Sequence, residues 1–201
     1  MINLRQAGPV NREDLKTLSV ISGVQSVIPI PLYDTVAVAN GNAATKIQFF
    51  SHTKGASGIA VTNLEQANIL VSGKVEVVTT IRLLLQTPTG VQVAGTLADM
   101  EAFAHAVGAF TFKINNVEYA QGPISDLIGG KLYGFGTPAA NVAYSASWNQ
   151  HPEGFRMSPA VVIPTQVNFS MELEYAVAPN PAATLELVCE LQGQQLRLAS
   201  S

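Results

Sequence analysis

The sequence predicts a mainly-β chain, folded as a single jelly-roll-like antiparallel β-sandwich with one or two short connecting helices and a long Gly/Pro-rich loop region. Three observations carry that expectation. Apolar and polar residues alternate with a period of two along several stretches, only one stretch has a strong helical period, and no fixed-length repeat points to a propeller or solenoid. Short strands separated by turn residues close best as two packed sheets. The 201 residues suit one shared core. Residues 1–31 are expected to form an extended arm and residues 32–201 the sandwich.

Taken in order, Glu65, Gln66 and Ala67 allow a short helix at 64–70, against which Val61 and Val71 count. The stretch 74–86 sets Val75, Val77, Ile81, Leu83 and Leu85 on one face, with Lys74, Glu76, Thr80, Arg82 and Gln86 mostly on the other. Val78 and Leu84 interrupt the polar face, so both sides of this strand are expected to be partly covered. At 96–108, Thr96 is a cap and Asp99 an acidic first-turn residue, while Leu97, Met100, Phe103, Ala104 and Val107 form an apolar stripe closed by Gly108. That is the one clear helix. Phe110, Phe112 and Ile114 alternate with Thr111 and Lys113, then Asn115 and Asn116 offer a tight turn into 117–119, which reads as a hairpin. Val167, Phe169, Met171, Leu173, Tyr175 and Val177 alternate with polar neighbours in the plainest strand pattern of the chain. Leu185, Leu187, Cys189 and Leu191 repeat it, and Gly193 is expected to mark a turn or bulge before 196–198.

The stretch 120–164 is different, because its Gly and Pro residues break any long regular element. Six of the fourteen aromatic residues fall between positions 119 and 155. A long aromatic loop either packs on its own domain or meets a partner, with sugar stacking a third use. Tyr133, Phe135, Tyr144, Trp148 and Phe155 are therefore the candidate interface residues.

Charged residues make up 12% of the chain and the formal net charge is −3. That leaves no electrostatic footprint for a phosphate backbone, so direct nucleic-acid binding is not expected. A neutral surface also lacks the self-repulsion that keeps monomers apart, which favours a homo-oligomer, a trimer first. No signal-like run opens the chain and the uncharged stretches are too broken to span a bilayer, so no membrane partner is expected. The single Cys189 reads as a small buried hydrophobe.

Catalytic patterns are missing from the sequence, and no enzyme, cofactor or metal is expected. Gly55-Ala56-Ser57-Gly58 lacks nucleophile-elbow spacing, and Gly129-Gly130-Lys131 lacks the upstream glycine of a phosphate loop. Glu101 and His105 share a helix face without a second histidine, and Glu172 with Glu174 fits a solvated strand face. An enzyme would need a cluster gathered from afar, such as Asp34, Asp99, His105 and His151.

Tyr33-Asp34-Thr35-Val36, the 47–50 strand, Lys54-Gly55-Ala56-Ser57-Gly58, Thr62-Asn63-Leu64-Glu65 and Gly73-Lys74 before a long strand resemble the order of features in structural proteins of bacteriophage particles. Val162-Ile163-Pro164, Asn168-Phe169-Ser170 and Leu191-Gln192-Gly193 before Leu196-Arg197-Leu198 are similar to the closing strands of that group. The resemblance implies a jelly-roll capsid or capsid-decorating protein, made in the host cytoplasm and carried in the virion beside the major capsid protein. It supplies no catalytic residues. The size favours a cement or decoration subunit. A capsid protein of a small tail-less virus is the first alternative, and a carbohydrate-binding or receptor-binding spike module, stacking sugars on Tyr133, Phe135, Tyr144 and Trp148, is the second.

Overall fold

The computed structural model describes residues 24–86, 106–128 and 154–198, together with the single positions 88, 99, 102 and 103. Nine strands run through them: β1 (Val24–Ile28), β2 (Leu32–Val38), β3 (Lys46–Phe49), β4 (Lys74–Gln86), β5 (Gly108–Ile114), β6 (Val117–Pro123), β7 (Phe155–Ile163), β8 (Phe169–Tyr175) and β9 (Leu185–Leu198). One short helix, α1 (Lys54–Ser57), and a 3-10 turn (Ile124–Asp126) complete the described elements. Among the described residues no helix is long and apolar enough to cross a membrane.

The strands form two antiparallel sheets, as the alternation predicts for a β-sandwich. The larger sheet has the order β1-β9-β4-β7, with β2 also paired to β9, and the smaller has the order β3-β8-β5-β6. Strand β9 is the spine of the larger sheet. Its first half pairs with β2 from Leu32↔Leu191 to Val38↔Leu185, and its second half pairs with β1. On its other edge it runs beside the full length of β4. Strand β1 lies inside the stretch expected to be an arm.

The period-two patterns bury one face of each sheet. Phe169, Met171, Leu173 and Tyr175 of β8, Phe110, Phe112 and Ile114 of β5, and Ile47 and Phe49 of β3 point inward from the smaller sheet. Leu185, Leu187, Cys189 and Leu191 of β9 meet them from the larger sheet with Ile81 and Leu83 of β4. Fully burying each such side chain contributes about 1.5–3 kcal/mol. Outward positions of the smaller sheet carry charge, and Lys46 sits 3.3 Å from both Glu172 and Glu174.

Two local features depart from simple alternation. Asn115 and Asn116 take φ of 50° and 64°, the left-handed values that a two-residue turn needs between β5 and β6. Gly193 is expected as a turn or bulge, but β9 continues through it and the irregularity lies in β4, where Thr79 is the extra residue between Val78↔Gly193 and Thr80↔Gln192. The approach there is so close that a Cβ on Gly193 would lie 1.8 Å from the Val77 carbonyl oxygen. Glycine is required by its neighbour's backbone.

Residues 64–70 form turns and isolated bridges instead of the short helix. Leu64 gives its carbonyl to the Lys54 N–H, and Asn68, at a φ of 59°, donates to the Phe50 carbonyl and accepts the Phe169 N–H, so this stretch ties the end of β3 to the start of β8. Asp99, Ala102 and Phe103 are helical, but Ala106 and Val107 form a bend and Gly108 begins β5, so the helix ends short of the expected 108; its other positions lie outside the described residues.

Candidate functional site

The described residues bring polar side chains together most densely around Asp34. It occupies a core-facing position of β2 between Leu32 and Val36, in register with Cys189 of β9, which in turn is in register with Leu83 of β4. Its side chain is fully buried. One carboxylate oxygen accepts the Phe50 N–H at 2.5 Å, and His52 Nδ1 lies 3.0 and 3.1 Å from the two oxygens. With Nδ1–H as donor, His52 directs Nε2 away from the carboxylate. Burial raises the Asp34 pKa, against hydrogen bonds from His52 and the Phe50 and Thr35 N–H groups that favour the ionised form.

The flanking residues of β2 tie the 50–65 loop to the same place. Tyr33 donates its N–H to Asn63 Oδ1 and its hydroxyl to the Ile59 carbonyl, while Thr62 Oγ1 donates to the Tyr33 carbonyl. Asn63 Nδ2 donates to the Pro31 carbonyl at 2.7 Å. Phe50 has a φ of 67°, a strained value for a bulky residue, and it is fixed from both sides: Asp34 accepts its N–H and Asn68 donates to its carbonyl. Ile59, 72% exposed, lies at the tip of this loop.

Chemically this arrangement is a fastening. The Cys189 thiol beside Asp34 is fully buried, and burial, then the charges of Asp34 and Glu190, push its pKa up, so it stays protonated and out of reach. His52 and Asp34 are eighteen residues apart in sequence, and the loop folded back on β2 brings them together. No group of three or more His, Cys, Asp or Glu among the described residues is placed to hold a metal ion.

Of the five candidate interface residues, Tyr133, Phe135, Tyr144 and Trp148 lie outside the described residues, as do Glu101, His105 and His151. Phe155 is half-buried in β7 and packs edge-on against Phe110, with ring centroids 5.1 Å apart. Beside it is a recess of about 550 Å³, bounded by half-exposed Tyr119 of β6 and by Arg156, Pro159 and Val161 of β7. Asp99 is remote from Asp34 in its bonding and accepts the Ala182 N–H at 2.9 Å. Ser57 of the Gly55–Gly58 loop ends α1 and has no histidine or carboxylate hydrogen-bond partner among the described residues.

A second buried carboxyl, Glu76 of β4, faces inward opposite Gln195 and Ile163. Neither of its oxygens has a hydrogen-bond partner, although Gln195 beside it favours the ionised form. Burial pushes its pKa up to about 9. At neutral pH this carboxyl carries its proton.

No protein family, curated protein or solved structure matches the chain.

Proposed function

We propose that the chain is a structural protein of a virus particle, a cement or decoration subunit that stabilises a phage head through oligomeric contacts and has no catalytic role. The observation that carries the reading is the nesting of the strand pairs. With β1 and β2 taken as two halves of one strand, the first strand pairs with the last, β3 with β8, β4 with β7, and β5 with β6. The chain is thus one long two-stranded ribbon closed at the Asn115–Asn116 turn. Rolling that ribbon sets β9 beside β4 and β8 beside β5, which divides the strands between two sheets. This order supports a jelly roll, an architecture used by viral capsid proteins and also by lectin domains and cupins.

Fold alone does not choose among those uses. The choice rests on the segments that resemble phage structural proteins: residues 33–36, 47–50, 54–58 and 62–65 converge on the hydrogen-bonded corner around Asp34. A charge content of 12% adds support for a surface covered by copies of itself, a trimer first, and by the major capsid protein. Quantitative mass spectrometry of purified virions tests the proposal. A copy number in multiples of three, comparable with that of the shell subunit, is expected. A handful of copies per particle would indicate a spike, and absence from the particle would overturn the virion reading.

A further inference from the structure

The two lateral sides of the sandwich are opposite in shape. Strands β2 and β3 stand at one side of the two sheets, and β6 and β7 at the other. On the first side the loop 54–60 projects, with Ala56, Ile59 and Ala60 exposed. A lone exposed apolar residue is ordinary on a protein surface. This one is held still. Tyr33 donates its hydroxyl to the Ile59 carbonyl, Lys54 donates its N–H to the Leu64 carbonyl, and Thr62 and Asn63 fasten the returning chain to β2. Lys54, the one charged residue of 54–60, lies 3.4 Å from Glu65. The second side is concave. Tyr119 of β6, 50% exposed, and Phe155, Pro159 and Val161 of β7 bound the recess of about 550 Å³. Pockets of about 300–1,000 Å³ enclose a drug-sized ligand, so this one has room for the Ile59 side chain with Ala56 and Ala60 beside it. The polar groups are complementary too. Residues 157–160, which line the recess, have no partner in the β4 register, and Arg156 adds guanidinium donors there. On the loop, the carbonyls of Gly55, Ala56 and Ser57 accept no hydrogen bond among the described residues, the ordinary state of a helix C-terminus.

We infer that the Ile59 loop of one copy docks in the β6–β7 recess of the next, joining copies head to tail. The contact rests on the self-association proposed for the chain and names its surfaces. A subunit cannot fill its own recess, because the loop is tied to β2 and three strand spacings of about 4.8 Å put β7 about 14 Å away. A loop already fixed by its hydrogen bonds loses little freedom on docking, which favours association. The size of the contact decides what assembly results. Loop residues 54–60 meet the nine residues of the recess. That is about a third of the 20–30 residues a side in a stable interface, so one contact is too small to hold a dimer. Two different surfaces on opposite sides repeat from copy to copy, and closure into a ring gives every copy two contacts, the last formed within one assembly. A closed ring is therefore the stable form, in keeping with a trimer.

Cysteine crosslinking of the full-length chain tests the contact. Chains carrying Ile59→Cys and chains carrying Ser158→Cys, mixed and oxidised, should form disulfide-linked pairs, while neither variant alone should; Cys189 is fully buried and takes no part. Failure of the mixture to crosslink would overturn the inference, and crosslinking of either variant with itself would replace it by a two-fold contact. In sedimentation, Ile59→Asp should weaken association about thirtyfold or more with unchanged melting. Val177→Asp, at another exposed apolar position, should change neither. Oligomers that withstand Ile59→Asp refute this contact and leave self-association standing, whereas a native chain still monomeric at about 100 μM refutes both. Carbene labelling of Tyr119 in the folded Ile59→Asp monomer checks for another occupant: open labelling supports the docking, and a recess protected there is filled by a different segment of its own chain, against the inference. If Ile59→Asp melts early, the crosslinking result decides.

Discussion

Asp34 and Glu76 are both inward-facing carboxyls on strands of the same sheet, both with fully buried side chains. Their surroundings are opposite. Asp34 is met by a backbone N–H, an imidazole and a loop folded back to supply them. Glu76 is surrounded by Val78, Ile163 and the Gln195 amide, with both oxygens unpartnered. Burial alone drives a carboxyl toward its neutral form, and the partners around Asp34 oppose that drive. A core can therefore accommodate an acidic residue as an anchor when chain is spent on satisfying it, or as a protonated, weakly tolerated group when it is not.

Substitution should separate the two. Asp34→Ala leaves the Phe50 N–H and His52 without their acceptor and releases the strained turn at Phe50, so a loss of about 3–5 kcal/mol is expected in urea unfolding. A loss under about 1 kcal/mol would mean the corner contributes little. Glu76→Leu should act in the other direction, gaining about 1–3 kcal/mol by removing unpartnered polar atoms at similar volume. Destabilisation by that change would show that Glu76 has a partner in solution.

The pH dependence sharpens the contrast. The folded-state pKa of Glu76, about 9, stands above its ordinary value of 4.5, so its favourable contribution is complete below about pH 4.5 and is lost as pH rises toward 9. Stability of the native chain relative to Glu76→Gln should therefore fall across that window with a slope of at most about 1.4 kcal/mol per pH unit, and become level above it. Parallel stability curves for the two proteins would contradict the buried, protonated state. The smallest effect is expected from Thr62→Val, which removes the hydroxyl that donates to the Tyr33 carbonyl and accepts the Leu64 N–H, and should cost about 1–2 kcal/mol. A cost as large as that of Asp34→Ala would place the main fastening in the loop.

Much of the sandwich is legible in the sequence because one-sided burial writes itself as alternation. Strand β4 occupies the expected 74–86, β8 lies within 167–177, and Asn115-Asn116 marks the β5–β6 turn. Strands β1, β2, β3 and β7 are harder to see. They are short, irregular or interrupted, and β7 loses its pairing between Arg156 and Val161 opposite a shift of only two residues in β4. Glu76 reads as a polar outward residue, since the extra residue at Thr79 reverses the alternation of everything before it. That bulge is an agreement between two strands more than one hundred residues apart, and no local window contains it. The Asp34 corner was hidden for the same reason: His52 is eighteen residues from its partner, in a segment whose pattern carries only turn residues.

The central place of β9 has a consequence for synthesis. Strands β2 and β4 are made first, and both wait for the same partner, which begins at Leu185, 147 residues after Val38. At about 5–20 residues per second, that interval is on the order of ten seconds. For β4, which ends at Gln86, the wait is 99 residues, and until β9 arrives each of the two apolar strands keeps the edge that β9 takes open to a neighbouring nascent chain. Closing late by long-range pairing makes folding slow, and on a crowded polysome it puts a premium on chaperones that hold β2 and β4 apart until β9 arrives.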